Sequence, residues 1–166
     1  MVIVWRRAKP EEYETLGEIT AQAYLGDGLL AFGEGDGYLD ALRDVAKRAA
    51  AAEVLVAVDS DERILGGVTF VPDGGPMADI ARPGEAEIRM LAVAPAARGR
   101  GAGEMLVRAC IEQARAVPGC RRLVLSTQHT MRSAHRIYLR LGFARTPERD
   151  WEPLPGLELL AYGLKL

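Results

Sequence analysis

The sequence is poor in the residues that usually announce a redox, metal or polyanion-binding protein. Of 166 residues, two are cysteine and two are histidine. Cys110 and Cys120 lack metal-ligand spacing, and no histidine cluster accompanies them. This excludes a zinc module and a disulfide framework, and makes a reduced, cytoplasmic home the expectation. A net charge of −2 gives no basic excess for nucleic acid or an anionic membrane surface. No apolar run approaches the roughly 18 residues needed to span a bilayer. The opening MVIVW turns charged too soon for a secretory leader. Two catalytic strings are missing as well: the phosphate loop G-x-x-x-x-G-K-[ST] and the nucleophile elbow G-x-S-x-G.

What remains is an ordinary globular balance, 49% apolar and 27% charged, in a chain of the size of one domain, residues 1–166. Val2–Trp5 suits a first strand. Pro10, followed by Glu11 and Glu12, suits a helix start near 10–24, with Tyr13, Leu16, Thr20 and Ala23 on one face. The glycine-rich stretch 25–37 reads as a mobile connection, and Tyr38–Ala52 as a second helix. The runs 53–59 and 63–71 form an antiparallel hairpin around SDE. A loop over 71–84 precedes a strand at 85–93, a helix ending at Pro118-Gly119, a strand at 121–127, a helix over 133–143 and a last strand at 157–166. The order is β-α-α-β-β-β-α-β-α-β-β, and the strand-helix-strand unit 85–127 favours a right-handed crossover with parallel pairing. One mixed α/β sheet with helices on its faces follows.

The sharpest signal lies in VAPAARGRGAGEML, residues 93–106. Three glycines at the start of a helix are costly on propensity, so either something compensates or the backbone is needed bare. A turn that leaves a strand and opens a helix presents unpaired N–H groups, to which arginines add charge; such a device suits a phosphate or pyrophosphate. A dinucleotide G-x-G-x-x-G would begin at Gly99 and Gly101, but Glu104 stands in the third glycine's place.

The string Arg98-Gly99-Arg100-Gly101-Ala102-Gly103 resembles the R/Q-x-x-G-x-G/A signature of the GCN5-related N-acetyltransferase (GNAT) family. Ahead of it, Leu91-Ala92-Val93-Ala94-Pro95 is similar to the end of that family's fourth strand. Downstream, Ala134, Tyr138 and Gly142-Phe143 resemble its A-x-x-x-Y-x-x-x-G-F segment. The resemblance implies a mixed, mostly antiparallel sheet whose central parallel pair splays to bind acyl-CoA, with helices on both faces. It implies an acetyl-CoA-dependent acyltransferase acting on a primary amine by direct transfer. The amine belongs to a small molecule, a protein lysine or an N-terminus. Backbone of Arg98, Gly99, Arg100, Gly101, Ala102 and Gly103 would bind the coenzyme pyrophosphate. Leu91, Ala92 and Val93 would pair with the pantetheine arm and polarise the thioester carbonyl. No metal is implied.

Direct transfer needs an acid for the departing thiolate and a neutral amine. Tyr138 stands where relatives often keep the tyrosine acid, and an ordinary phenol is protonated at neutral pH. Glu87 stands where some relatives keep a glutamate base; Glu85 is its reserve. The alternation of Glu85, Glu87 and Arg89 with Ala86, Ile88 and Met90 gives this strand one polar face. The family's usual Asn before the helix alanine is replaced by Met131. The loops 25–37 and 72–84 are the expected acceptor walls. Their acids, Asp27, Glu34, Asp36, Asp73 and Asp79, form an acidic rim favouring a cationic amine. His129 and His135 read as surface residues. The alternative is a non-catalytic acyl-CoA-binding sensor or interaction module on the same fold. A monomer and a homodimer, paired through LELLAYGLKL, both fit.

Overall fold

The computed structural model describes residues 2–166. The described residues form eight strands, β1 (Val4–Arg7), β2 (Glu53–Val58), β3 (Ile64–Val71), β4 (Glu85–Val93), β5 (Arg122–Gln128), β6 (Ala144–Arg145), β7 (Trp151–Leu154) and β8 (Leu157–Lys165), and five α-helices. These are α1 (Tyr13–Gly26), α2 (Tyr38–Arg43), α3 (Val45–Ala51), α4 (Ala102–Ala116) and α5 (Arg132–Arg140). The strands join in the order β1-β2-β3-β4-β5-β8-β6, with β7 on β8. β4 and β5 pair in parallel, from Glu85↔Arg122 to Ile88↔Leu125. The expected mixed α/β sheet, mostly antiparallel with a parallel pair, is therefore present.

The chain divides into two compact units, Met1–Thr69 with Met90–Leu106, and Phe70–Arg89 with Val107–Leu166. In the first, α1 follows a 3-10 turn over Pro10–Glu12. Glu12 closes that turn by accepting the Lys9 N–H at 2.8 Å and clasping Arg6 with both oxygens at 2.8 Å. Leu16 of α1 packs with Val45 of α3 and with Val54, Val56 and Val58 of β2. The helix expected over 38–52 is two helices. Asp44 leaves the helical region at φ −84°, ψ 68° and its side chain accepts the Lys47 N–H at 3.1 Å, capping α3. An aspartate offers its own oxygen to the backbone and so favours a helix start over a helix interior. The stretch 25–37 is also more built than expected. Asp36 accepts the Phe32 and Tyr38 N–H groups at 3.2 and 2.9 Å, and Leu29 is buried while Phe32 is exposed.

In the second unit, α4 continues from its N-terminal turns with Val107, Ala109, Cys110, Ile111 and Ala114 buried. Leu123 and Leu125 of β5 and Ala161 and Tyr162 of β8 are buried too. The tail LELLAYGLKL completes a sheet within its own chain: β8 pairs antiparallel with β5, β6 and β7.

Candidate active site

The glycine-arginine turn lies in the first unit. β4 ends at Val93, a 3-10 turn covers Pro95–Ala97, and α4 begins at Ala102. Gly99 and Gly101 take φ +79° and +84°, and a Cβ on either would meet only open space. These two positions need glycine for conformation, since side-chained residues rarely hold positive φ. What they leave is backbone without a side chain at those two positions. Met105 donates to the Gly101 carbonyl at 3.0 Å, which starts the helix there. Ala102 is buried at the helix start, anchoring the turn from behind.

Arg98 is already engaged. Its two terminal nitrogens reach the two oxygens of Asp27 at 3.0 and 2.9 Å, and the hydrogen bonds with Asp27 raise its pKa. This corrects the acidic rim. Asp27 is neutralised by Arg98, Asp36 is committed to backbone N–H groups and Asp79 pairs with Arg89 at 3.0 Å. Three of the five acids expected to face an acceptor are thus occupied by the chain itself.

Upstream, Ala92 is buried and Leu91 and Val93 are half-buried. β3 approaches this stretch closely, for a Cβ on Gly66 would come within 2.5 Å of the Ala92 carbonyl oxygen. Just before it, Met90 holds φ +55°, a left-handed conformation costing an unbranched residue on the order of 1–3 kcal/mol. Its side chain is buried against Ala21, Leu39 and Leu42, which over-determines that conformation.

Both groups expected to move protons lie in the second unit, and both are sealed. Glu87 is fully buried. Its Oε1 accepts three consecutive main-chain N–H groups, those of Asp79, Ile80 and Ala81, at 3.0, 2.9 and 2.9 Å. Its Oε2 is buried with no hydrogen-bond partner. Burial raises the Glu87 pKa, the nearby Asp79 charge adds to this, and the three N–H groups oppose it. Glu85 is a different case. Burial pushes it up, but hydrogen bonds from Arg149 and the Arg82 N–H prevail and leave it lowered. Arg149 holds it by both oxygens at 2.8 and 3.0 Å. A carboxylate so clasped is a poor base, and the reserve role falls away.

Tyr138 is 3% exposed. Its ring packs on Phe143 and Tyr162 at centroid distances of 5.7 and 5.9 Å, contacts each worth about 0.5–1.5 kcal/mol beyond area. Burial drives its phenol upward, so it stays protonated well past neutrality. Phe143 is itself buried at its contact with Tyr138. Met131 sits at the N-cap of α5 without a side-chain cap, and its sulfur accepts the Thr127 hydroxyl at 3.3 Å. His129 is exposed and meets Glu158 at 2.9 Å. His135 is not the surface residue expected. Its Nε2 lies 2.9 Å from the Gln128 carbonyl and its ring 5.6 Å from that of Tyr162, and burial lowers its pKa. The residue that sequence reasoning missed altogether is Arg149, whose side chain is 7% exposed. No local pattern marks it, because its partners lie 64 and 69 positions away. No group of three or more potential metal-ligating side chains occurs among the described residues, and none of the described helices is long and apolar enough to cross a membrane.

The chain is similar to known proteins. An uncharacterized N-acetyltransferase of Schizosaccharomyces pombe is 34% identical over 104 residues, which is 63% of this chain and 59% of that protein. The chain therefore matches a little over half the length of that relative. A GNAT-family acetyltransferase from Staphylococcus aureus superposes with a TM-score of 0.75 at 15% identity, covering 99% of both chains. A phosphinothricin acetyltransferase from Sinorhizobium meliloti, solved in complex with AcCoA, gives a TM-score of 0.73 at 18% identity, covering all of this chain and 89% of its own. At such identity these two speak for the fold alone. The sequence profile of the Acetyltransferase (GNAT) family matches residues 14–143, a stretch that takes in the glycine-arginine turn, Glu87 and Tyr138, and the chain belongs to that family.

Proposed function

We propose that the chain is an N-acetyltransferase domain that moves an acetyl group from acetyl-CoA to a primary amine. The observation that carries this is the turn at 98–103, where positive-φ Gly99 and Gly101 leave bare backbone in open space at the start of α4. N–H groups there and the positive end of the helix suit a pyrophosphate. The structurally similar Sinorhizobium meliloti enzyme was solved with this donor. Backbone of Leu91, Ala92 and Val93 would pair with the pantetheine arm and polarise the thioester carbonyl.

In the reaction, the amine nitrogen attacks the thioester carbonyl carbon, the C–S bond breaks and the sulfur leaves as thiolate. Tyr138 gives the thiolate its proton, a role that requires the protonated phenol its burial maintains. Glu87 takes a proton from the acceptor ammonium through a water, because its burial keeps the acceptor from reaching the carboxylate directly. Its Oε2 supplies the lone pairs, since Oε1 is filled by three N–H groups. A carboxylate whose pKa burial raises binds the proton it takes more firmly than an ordinary one.

Thermal unfolding with acetyl-CoA, CoA, NADH and ATP, followed by assay of free CoA over a panel of amines, tests the reading. At 100 times its dissociation constant a ligand adds about 2.7 kcal/mol, a rise of roughly 5–10 °C for a domain this size. Stabilisation by CoA species with amine-dependent CoA release is expected. Stabilisation by NADH or ATP instead, or by no ligand, would overturn it. Donor binding with no CoA release on any amine would favour the non-catalytic acyl-CoA-binding module.

A further inference from the structure

The polar face of β4 is neither solvated nor open; segment 77–82 lies over it. Glu85, Glu87 and Arg89, alternate residues of one strand, each fasten part of that segment. Glu87 gathers the Asp79, Ile80 and Ala81 N–H groups on Oε1. Arg89 donates to the Met77 carbonyl at 2.9 Å and pairs with Asp79 at 3.0 Å. Glu85 accepts the Arg82 N–H at 2.9 Å and is clasped by Arg149. Arg149 also donates to the Ile80 carbonyl at 2.6 Å.

That last bond has a particular geometry. The Ile80 carbonyl and the Ala81 N–H belong to one trans peptide, so they point in opposite directions. Arg149 holds the oxygen of this unit while Glu87 holds its hydrogen. A guanidinium on the oxygen fixes the plane and polarises it, which strengthens the N–H as a donor.

We infer that Arg149 is a positioning residue for Glu87: by holding the Ile80 carbonyl it keeps the N–H groups of 79–81 on Oε1, and so sets the ionisation of the carboxylate and the shape of segment 77–82. The inference rests on the reading of Glu87 as base. N–H groups on a carboxylate favour its charged form, while burial opposes it. The other charges bearing on Glu87 are Asp79, which raises its pKa, Arg89, which offsets Asp79, and the Glu85–Arg149 pair along the same face, with Arg122 3.9 Å from Glu85. Loss of Arg149 therefore shifts the balance towards the protonated acid.

The test compares the full-length wild type with Arg149→Met and Arg149→Lys. Three readouts are followed: the pH profile of kcat/KM, hydrogen exchange at the amides of 79–81, and the acetyl-CoA Kd. Arg149→Met is expected to move the acid limb upward by about one pH unit, to speed exchange at 79–81 about tenfold, and to leave the donor Kd within about twofold. Arg149→Lys is expected to restore part of both shifts. An unmoved acid limb together with wild-type exchange at 79–81 would overturn the inference. Should Arg149→Met fail to fold, Arg149→Gln, which removes the same charge and keeps a polar side chain, carries the same expectations. Glu87→Gln run in parallel separates the two readings. Survival of the acid limb in that variant removes Glu87 as base and with it the ionisation half of the inference, while exchange at 79–81 in the Arg149 variants still decides the positioning half.

Discussion

The turn at 98–103 and the cluster around Glu87 solve opposite problems with opposite materials. The turn keeps side chains away: Gly99 and Gly101 face open space, and what is offered to a ligand is backbone. The cluster brings side chains in, and packs three carboxylates, two guanidinium groups and a returning loop into a space with little solvent. A binding device for a large polyanion needs access, and bare N–H groups cannot be used up by neighbours. A proton-transfer device needs a tuned pKa, and tuning comes from burial set against a counted number of hydrogen bonds. Access and tuning conflict, and in this chain they are assigned to different segments.

Substitutions at each place should separate the two kinds of effect. The largest is expected at Tyr138. Tyr138→Phe keeps the ring packed on Phe143 and Tyr162 but removes the proton, so kcat should fall about 10²–10³-fold while calorimetry finds the acetyl-CoA Kd little changed. Equal losses in both would argue against an acid role. Next is the turn: Gly101→Val forces a β-branched residue to φ +84°, and the strain or the rearrangement that relieves it should weaken acetyl-CoA binding by about 100-fold, or about 2.7 kcal/mol. An unaltered Kd in that variant would mean the turn is not the donor's cradle.

Glu87→Gln carries a stability prediction with a definite sign. A carboxyl whose folded pKa lies above its unfolded value binds its proton more tightly when folded. Its relative contribution is then greatest below the unfolded pKa and is lost as pH rises through the folded one. Urea melts should therefore show the wild type losing ground to Glu87→Gln as pH climbs above the ordinary carboxylate range. A constant difference would show that the carboxyl is not perturbed. The smallest effect is expected at Asp27. Asp27→Asn releases Arg98 from a half-exposed pair worth at most about 1 kcal/mol, so acetyl-CoA should bind roughly two- to fivefold tighter, a gain that added salt erases.

How much of this could be read from the sequence follows the same division. The turn was legible because its requirement is local: a glycine at positive φ is needed whatever the rest of the chain does. The hairpin β2–β3 and the parallel strand-helix-strand unit were legible through alternation and helical spacing. Asp44, which splits the helix expected over 38–52, carried a local signal too, since aspartate followed by a helical run is a capping pattern. Glu87 was placed on the right face of β4, but alternation could say only that the face was polar, not that segment 77–82 covers it. The pairing of Asp27 with Arg98 spans 71 positions and that of Arg149 with Ile80 spans 69. Such pairs leave no periodic trace, and each overturned or escaped a reading made from composition. The small strands β6 and β7 were not resolved as separate elements for a related reason. They are set by pairing with β8 more than by any pattern of their own.

The Asp27–Arg98 pair also bears on which anions the protein ignores. An arginine beside bare amides would greet any passing phosphate, from inorganic ions to nucleic acid. With its fork filled by an internal carboxylate, the turn shows a weaker field to such passers-by, and only an anion able to satisfy the backbone as well can outbid Asp27. On the proposed function, the aspartate would set a threshold for admission, trading some donor affinity for indifference to the crowd of lesser phosphates around it.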